Sequence, residues 1–318
     1  MILADENTHL IVQGITGREA ATFTKSLLEY GSKVVAGVTP GKGGLEVYGV
    51  PVYDTLQEAL EKSKKEMAPS GPYSQAPPGD AIEKVSYASI ISVPPAMARG
   101  ATFEALDHDI QLIVVVTERI PRKDVVEMVE YAQEKRARII GPNSLGLISP
   151  HRIKIGMVGG PAEDVRKAYS PGPIGIMSRS GGMTTEIANL LTLHGIGQST
   201  CISIGGDPIV GSNFLDLLPL FEKDPETRGV VIFCEPGGAA EERLAEYVLE
   251  RRVSLPIVAF VAGRFVDEMP GVRFGHAAVI VEGTRGSTRS KIEKFKEAGI
   301  HIAEQLSDIV PLLRDLSL

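Results

Sequence analysis

Short apolar runs alternate with segments of helical spacing along nearly the whole chain. In the first half the apolar runs are compact, which suits strands buried on both faces. They are His9–Val12, Lys33–Val38, Tyr87–Val93, Gln111–Val116 and Arg138–Ile140. Between them, helices are predicted over Glu19–Tyr30, Thr55–Lys64, Ala96–Asp107 and Pro121–Lys135.

The same alternation continues in the second half. Strands are predicted at Pro173–Met177, Gln198–Ile204, Arg228–Phe233, Pro256–Val261 and His301–Ala303. Helices are predicted at Gly182–His194, Phe214–Leu218, Ala240–Arg251, Ser287–Ala298 and Leu306–Leu316. Strict alternation of strand and helix predicts parallel sheets with right-handed crossovers, and therefore an α/β fold.

Two interruptions divide this pattern. Ser149–Ser170 is polar and irregular, and a length of 318 residues favours two domains over one. We therefore expect two doubly wound domains, over 1–150 and 173–318, joined by a linker at 151–172. Residues 64–86 are rich in proline and glycine, and they are predicted to be a solvated loop insertion in the first domain.

The composition and charge argue against several classes of function. A formal net charge of -7 argues against general electrostatic binding to nucleic acid or to an anionic membrane. Two cysteines, Cys201 and Cys234, are too few for a disulfide scaffold or a self-contained zinc site. No apolar run approaches the ~20 residues that span a bilayer, and the N-terminus lacks the order of a signal peptide. A cytoplasmic location is expected.

Two glycine-rich turns in the first half are candidate phosphate sites. Gly14-Ile15-Thr16-Gly17-Arg18-Glu19 connects the first strand to a helix N-terminus, where free N–H groups and a positive dipole end favour an anion. Gly37-Val38-Thr39-Pro40-Gly41-Lys42-Gly43-Gly44 places a lysine between glycines at the next junction. Structural glycines or a surface loop also explain each turn alone. The chain has no P-loop motif, so a nucleotide site of that kind is unsupported.

The second half has two further candidates. Met177-Ser178-Arg179-Ser180-Gly181-Gly182 leads from a strand into a helix, and its small residues leave room for a tetrahedral anion. His276 is a candidate phosphoryl acceptor, because neutral imidazole is a competent nucleophile. Glu235 ends a strand of the same domain and would orient that ring. Gly205-Gly206-Asp207-Pro208 and Gly141-Pro142-Asn143-Ser144 are interpreted as turns, and no residue is assigned to a metal.

Taken together, these segments resemble the alpha subunit of succinyl-CoA synthetase (succinate–CoA ligase). The resemblance covers about Met1 to Leu318, with residues 64–86 as an insertion. It is carried by Gly14-Ile15-Thr16-Gly17, Gly37 to Gly44, Ser178-Arg179-Ser180-Gly181, Ile204-Gly205-Gly206-Asp207-Pro208 and Gly275-His276-Ala277. It implies an N-terminal Rossmann-like CoA-binding domain followed by a flavodoxin-like ligase domain.

The resemblance also implies roles for individual residues. CoA would contact Thr16, Gly17, Arg18, Glu19, Lys42, Val116, Thr117 and Glu118. His276 would be the phosphorylated histidine and Glu235 its orienting carboxylate. The phosphate and the acid would be bound by Ser178, Ser180, Gly181, Gly182, Thr185 and Asn143.

The implied reaction needs a second chain. ATP or GTP, with Mg²⁺, would bind to a beta subunit with an ATP-grasp fold, in an αβ or (αβ)₂ assembly. The nucleotide would phosphorylate His276, the phosphoryl group would pass to a carboxylic acid, and the CoA thiol would attack the acyl phosphate. This division fits a chain that has phosphate-cradling turns and lacks a nucleotide motif.

Local departures from succinate enzymes leave the acid open. Thr185 replaces an expected tyrosine, and Ser180-Gly181-Gly182-Met183 is similar to citrate-activating relatives such as citryl-CoA synthetase and ATP-citrate lyase. A smaller side chain enlarges a pocket, which a tricarboxylate would need. We place succinate ahead of citrate, with malate third. The alternatives from other classes are a non-catalytic CoA-binding protein and an NAD-dependent dehydrogenase. The second is weaker because the acidic ribose-binding residue that a dehydrogenase would have is not evident in this chain.

Overall fold

The computed structural model describes residues 1–67, 86–265 and 286–318, within which the strands form two seven-stranded sheets. The first sheet contains β1 (His9–Gln13), β2 (Lys33–Val38), β3 (Glu46–Val47), β4 (Val50–Tyr53), β5 (Tyr87–Ile91), β6 (Leu112–Val115) and β7 (Arg138–Ile140). Their spatial order is β3-β4-β2-β1-β5-β6-β7. All neighbours are parallel except β3 and β4, which form a short hairpin at one edge. This hairpin was not predicted.

Helices α1 (Arg18–Tyr30), α2 (Leu56–Met67), α3 (Pro95–Asp107) and α4 (Arg122–Glu134) connect these strands. Each has an apolar face spaced at three or four residues; in α1 the buried positions include Ala20, Phe23 and Leu27. The predicted insertion begins too early, because α2 continues through residues 64–67. Lys64 and Lys65 in the last turn favour that extension by interacting with the helix dipole. The rest of the insertion, 68–85, lies outside the described residues.

The second sheet has the order β14-β13-β12-β10-β11-β8-β9. Its strands are β8 (Gly146–Ser149), β9 (Ile153–Gly156), β10 (Pro171–Ser178), β11 (Gln198–Ser203), β12 (Gly229–Cys234), β13 (Ile257–Val261) and β14 (His301–Ala303). The pairs from β14 to β11 are parallel, whereas β8 is antiparallel to both β11 and β9. The expectation of purely parallel sheets is therefore wrong at this edge.

The irregular character predicted for Ser149–Ser170 is also wrong. This stretch contains β9 and helix α5 (Ala162–Ala168). Strand β9 carries the polar Lys154 between Ile153 and Ile155, yet all of its residues are buried because α1 packs against it. A charged residue inside a short strand removed the apolar signal that would have predicted it.

The remaining helices are α6 (Gly181–Leu193), α7 (Phe214–Lys223), α8 (Ala240–Arg251), α9 (Thr288–Glu297) and α10 (Ile309–Asp315). The predicted end of α7 at Leu218 is too early. The helix continues through Pro219 because Phe214, Leu218 and Phe221 are fully buried on one face. Leu306–Asp308, predicted as the start of the last α-helix, is a separate 3₁₀ turn.

The two sheets share a continuous hydrophobic core. One cluster of buried residues includes Val114 and Ile140 of the first sheet together with Leu147, Ile202 and Phe214 of the second part. Their relative placement is therefore fixed by apolar packing. The carboxyl ends of the two sheets also meet, because Gly141, which follows β7, donates its N–H to the carbonyl of Ile204, which follows β11, at 3.1 Å.

Three structural findings concern the cysteines, membrane spans and metal sites. Cys201 and Cys234 are buried free thiols. Within 1–67, 86–265 and 286–318, no helix is long and apolar enough to cross a bilayer, and no group of His, Cys, Asp and Glu side chains is arranged to hold a metal ion.

Candidate functional site

The turn between β1 and α1 presents backbone amides at the carboxyl edge of the first sheet. Gly14 has φ +87°, and a Cβ there would lie 2.3 Å from the carbonyl oxygen of Ser92. Gly17 donates its N–H to Gly14 at 2.9 Å and is the N-cap of α1. No side chain in the described part of the chain caps this helix. Its first-turn amides, beside the exposed Arg18 and Glu19, are thus oriented for an anion.

A carboxylate that the sequence analysis missed shapes the lysine loop after β2. Asp54 accepts hydrogen bonds from the backbone N–H groups of Lys42 and Gly43, at 3.0 and 2.9 Å. A Cβ on Gly43 would lie 2.7 Å from that carboxylate. The loop is therefore closed on Asp54, and Lys42 is exposed at the same edge as the β1–α1 turn. The sequence signal was an acidic residue one position after a short strand.

The residues that follow β6 are the third segment at this carboxyl edge. Val116 and Thr117 are almost fully buried, and the Thr117 hydroxyl donates to the carbonyl of Val93 at 2.8 Å. Glu118 is exposed and lies 3.3 Å from Arg119. Val93 belongs to the turn after β5, which lies between β1 and β6. That turn was not predicted to take part in the site.

The serines at the start of α6 are largely occupied by local hydrogen bonds. Ser178 donates its hydroxyl to the carbonyl of Ser180 at 2.6 Å, and its oxygen accepts the Ser180 N–H at 3.1 Å. Ser180 is the N-cap, and its side chain accepts from the N–H of Met183. Gly181 is required because a Cβ would lie 2.2 Å from the Leu145 side chain, whereas no atom of the described residues lies within 4 Å of the Cβ position of Gly182. The first-turn amides of Gly181 and Gly182 are thus better placed than the Ser178 hydroxyl to bind an anion.

Glu235 lies directly after β12, the strand that pairs with β10 beside this turn. Strand β12 pairs with β10 so that Ser178 is opposite Phe233, and Arg179 donates its backbone N–H to Phe233 at 3.2 Å. Glu235 follows β12 directly and is half-buried. The structure therefore brings the Ser178–Gly182 turn and Glu235 to neighbouring strand ends. His276 lies outside the described residues, so its meeting with them stays a prediction. Burial raises the pKa of the nearby Cys234 thiol, which argues against a thiolate nucleophile there.

Asn143 joins the two carboxyl edges. Its backbone N–H donates to the carbonyl of Thr117 at 3.0 Å, and its side-chain amide donates to Asp207 at 3.0 Å. Arg179 donates from its guanidinium to the carbonyl of Asp207 at 3.1 Å. We call Thr117, Asn143, Asp207 and Arg179 the inter-sheet junction. Asp207 was part of a motif noted in the sequence, but it was interpreted as a turn because nothing local indicates its partner.

Thr185 is occupied by a contact within the second domain. Its hydroxyl lies 2.9 Å from the hydroxyl of Tyr169, which is 1% exposed. Burial raises the pKa of Tyr169, so this phenol is neutral at ordinary pH. The predicted role of Thr185 toward the acid stays a prediction.

Comparison with known proteins identifies two family models on the chain. The first, "CoA binding domain", matches residues 5–68, and the second, "CoA-ligase", matches residues 177–301. A succinate–CoA ligase [ADP-forming] subunit alpha 1 of Archaeoglobus fulgidus is 42% identical over 98% of this chain and 97% of its own length. Corresponding alpha subunits of Methanothermobacter thermautotrophicus and Aquifex aeolicus are 42% and 40% identical, covering 99% and 97% of this chain and 96% and 92% of their own lengths.

Solved structures show the same fold at lower identity. ATP citrate lyase from Methanothrix soehngenii, in complex with citrate and coenzyme A, has a TM-score of 0.85 at 23% identity, covering 99% of this chain. A dinucleotide-forming acetyl-coenzyme A synthetase of Ca. Korarchaeum cryptofilum has a TM-score of 0.64 at 20% identity, covering 94% of this chain. The chain spans 52% of the first protein and 58% of the second.

Proposed function

The chain belongs to the family of succinate–CoA ligase alpha subunits, and from this premise we propose that it works through a phosphohistidine at His276 in an ADP-forming ligase. It is an acid–thiol ligase with a CoA-binding domain. The observation that supports the proposal most directly is the inter-sheet junction. It brings the carboxyl edge with the CoA candidates beside the edge with the Ser178–Gly182 turn and Glu235.

In the proposed cycle, a nitrogen of His276 attacks the γ-phosphorus of ATP and ADP leaves. A carboxylate oxygen of succinate then attacks that phosphorus and displaces the imidazole, giving an acyl phosphate. The CoA thiolate attacks the acyl carbon, and inorganic phosphate leaves with the oxygen of the broken C–O bond. Splitting the reaction at the histidine replaces one difficult displacement by easier ones.

This chain's own residues would contribute charge and orientation. The N-terminal amides of α6 would stabilise the phosphoryl oxygens, because a helix N-terminus carries a partial positive charge. Glu235 would hold the imidazole in the tautomer that leaves one nitrogen free to attack. The amides after Gly17 and the Lys42 side chain would bind CoA phosphates, with Thr16, Arg18, Glu19 and the Val116–Glu118 strand end around them.

The nucleotide would be supplied by another chain. The names of the relatives as alpha subunits support a beta partner. We propose that this partner has an ATP-grasp fold, that it binds ATP and Mg²⁺, and that it completes an αβ or (αβ)₂ enzyme.

The test is phosphorylation of the complex of this chain with its beta partner by γ-labelled ATP. The wild-type complex is expected to acquire acid-labile label on this chain and to release it when succinate and CoA are added. His276→Asn is expected to abolish labelling while CoA affinity stays within about twofold, because the two proposed sites lie in different domains. Retention of acid-labile label in His276→Asn would refute the assignment.

Citrate is the second candidate acid. Among residues 1–67, 86–265 and 286–318, nothing lies within 4 Å of the Cβ position of Gly182, so these residues leave space at the start of α6 that a larger side chain would occupy. A panel of succinate, citrate and malate, scored by acyl-CoA production, distinguishes the acids. The proposal expects the highest kcat/KM with succinate, and preference for citrate would replace it.

A further inference from the structure

A lysine with no solvent exposure contacts the turn that follows Glu235, the predicted catalytic carboxylate. Lys291 on α9 contacts two carboxylates of α8: its Nζ lies 2.5 Å from Glu241 and 3.2 Å from Glu242. Both acidic residues are also buried, at 1% and 8% exposed. We call these three side chains the Lys291 cluster.

The Lys291 cluster holds the backbone of the turn that follows Glu235. Lys291 Nζ donates to the carbonyl of Gly238 at 3.0 Å. Glu242 accepts the N–H of Gly286 at 3.0 Å, and Gly237 donates its own N–H to the carbonyl of Gly286 at 2.8 Å. Gly286 fits closely, because a Cβ there would lie 2.9 Å from the Gly238 carbonyl oxygen. The turn is thus fixed between the starts of α8 and α9.

Stability alone is a weak reason for this arrangement. Removing an ammonium and carboxylates from water costs several kcal/mol per ion, and apolar residues of similar volume are often as stabilising. Charged hydrogen bonds to backbone groups do provide direction, since each fixes both a distance and an angle. What the cluster supplies beyond packing is a defined position for the Gly237–Gly238 backbone.

We infer that Lys291 and Glu242 are positioning residues that hold the Glu235 turn in register for phosphoryl transfer. The inference rests on the proposed function, because it assumes that Glu235 orients His276. A small displacement of an orienting carboxylate lowers the rate of the step it assists without changing a distant ligand site. The cluster should therefore govern phosphorylation and leave CoA binding unaffected.

Glu242 provides a matched pair of variants. Glu242→Gln keeps an oxygen that accepts the Gly286 N–H and leaves the Lys291–Glu241 ion pair, so its phosphorylation rate should stay within about threefold of wild type. Glu242→Leu removes the acceptor, and its rate should fall on the order of 10- to 100-fold while the Kd for CoA stays unchanged. Lys294→Met, which alters an exposed pair with Glu297 on the same helix, is the surface control.

A variant in which all three side chains of the Lys291 cluster are uncharged distinguishes their positioning role from their effect on stability. Lys291→Met alone leaves buried carboxylates uncompensated, so Lys291→Met/Glu241→Gln/Glu242→Gln is compared with it. The triple variant should melt close to wild type, bind CoA normally and phosphorylate on the order of 10- to 100-fold more slowly. Equal phosphorylation rates in the Gln and Leu variants of Glu242, or a wild-type rate in the triple variant, would overturn the inference. Absence of label in the wild-type complex would instead refute the proposed function.

Discussion

The side-chain amide of Asn143 donates a hydrogen bond to the carboxylate of Asp207 at 3.0 Å, across the boundary between the two sheets. Asn143 also donates its backbone N–H to the carbonyl of Thr117, just after β6, while the backbone carbonyl of Asp207 accepts from the guanidinium of Arg179, just after β10. A CoA thiol and an acyl phosphate bound at separate edges react only if those edges stay in register. This contact ties the two edges through hydrogen bonds as well as through apolar packing.

The variant Asp207→Ala tests whether this contact keeps the two carboxyl edges aligned. The substitution removes the acceptor for Asn143, so the free energy of unfolding should fall by about 1–2 kcal/mol. Acyl-CoA formation from the phosphorylated complex should slow more than phosphorylation itself, because the proposed CoA and phosphate sites lie on opposite sides of the contact. Asp207→Asn keeps an acceptor oxygen and should retain most of both activities. Equal slowing of the two steps in Asp207→Ala would contradict this role.

A comparison of alanine substitutions at Gly14 and Gly31 distinguishes the cost of a left-handed backbone conformation from the cost of close packing. Both have positive φ, but in the described part of the chain Gly14 alone has a close neighbour, the Ser92 carbonyl oxygen at 2.3 Å from a Cβ. Gly31→Ala should cost about 1–2 kcal/mol of stability for the left-handed conformation. Gly14→Ala should cost a further 1–3 kcal/mol or so for overpacking and should weaken CoA binding by displacing the turn. Urea unfolding and a CoA titration of both variants provide the check; equal losses would show that the Ser92 contact is unimportant.

Lys42 and Lys33 are exposed at opposite ends of β2. Lys42 follows the carboxyl end, in the loop closed on Asp54, whereas Lys33 starts the strand and donates to Asn7. Lys42→Ala should raise the KM for CoA, by about tenfold if one phosphate contact is lost, and leave phosphorylation unchanged. Lys33→Ala should alter neither. An unchanged response to CoA in Lys42→Ala would place the pocket elsewhere.

Strands and helices were predictable from the sequence where the apolar spacing within the element itself indicates its type. Lys33–Val38 and Ala240–Arg251 have the predicted bounds, because their apolar spacing is unbroken. The β8–β9 hairpin was missed because Lys154 interrupts a short apolar run, and its burial depends on α1 of the other half. Local pattern carries no information about such a partner.

In the candidate site, too, local features were predictable from the sequence and long-range contacts were not. Motifs correctly identified which turns follow parallel strands, since those turns have local glycine and serine signals. The bond between Asn143 and Asp207 joins residues 64 positions apart and was not predictable, because no local feature of either turn specifies the other. The Lys291 cluster was missed for a similar reason: helical charges are usually solvated, and only packing of α8 against α9 buries them.

Thr185 and Tyr169 form a buried hydroxyl pair at 2.9 Å. Thr185→Val keeps the shape of the side chain but leaves the Tyr169 hydroxyl without this partner, so the free energy of unfolding should fall by about 1–3 kcal/mol. Tyr169→Phe with Thr185→Val removes both hydroxyls and should lose less than the sum of the single variants. A strictly additive double-mutant cycle would show that the pair contributes no coupling energy.

Lys154 is buried between the two halves without a carboxylate beside it in the described part of the chain. Its ammonium donates to Ser26 and to the carbonyl of Gly160, both at 2.6 Å. Burial lowers the pKa of Lys154 to about 8. Ser26 keeps its own hydrogen bond to Gly160 at 2.8 Å, so Lys154→Met removes the charge without leaving that hydroxyl unpartnered.

The pH dependence of stability follows from this lowered pKa. Between pH 8 and 10.5 the unfolded lysine holds a proton that the native one has released, so the free energy of unfolding rises with pH in that window. From pH 7 to 9.5 the gain from this group is about 2 kcal/mol. Lys154→Met should be at least as stable as wild type at pH 7, and the advantage should shrink as the pH rises. Urea unfolding at intervals over this range measures the difference between the two proteins, which cancels the opposing effect of tyrosine ionisation above pH 10 or so. Parallel curves for wild type and Lys154→Met would show that the Lys154 ammonium keeps an ordinary affinity for its proton in the folded protein.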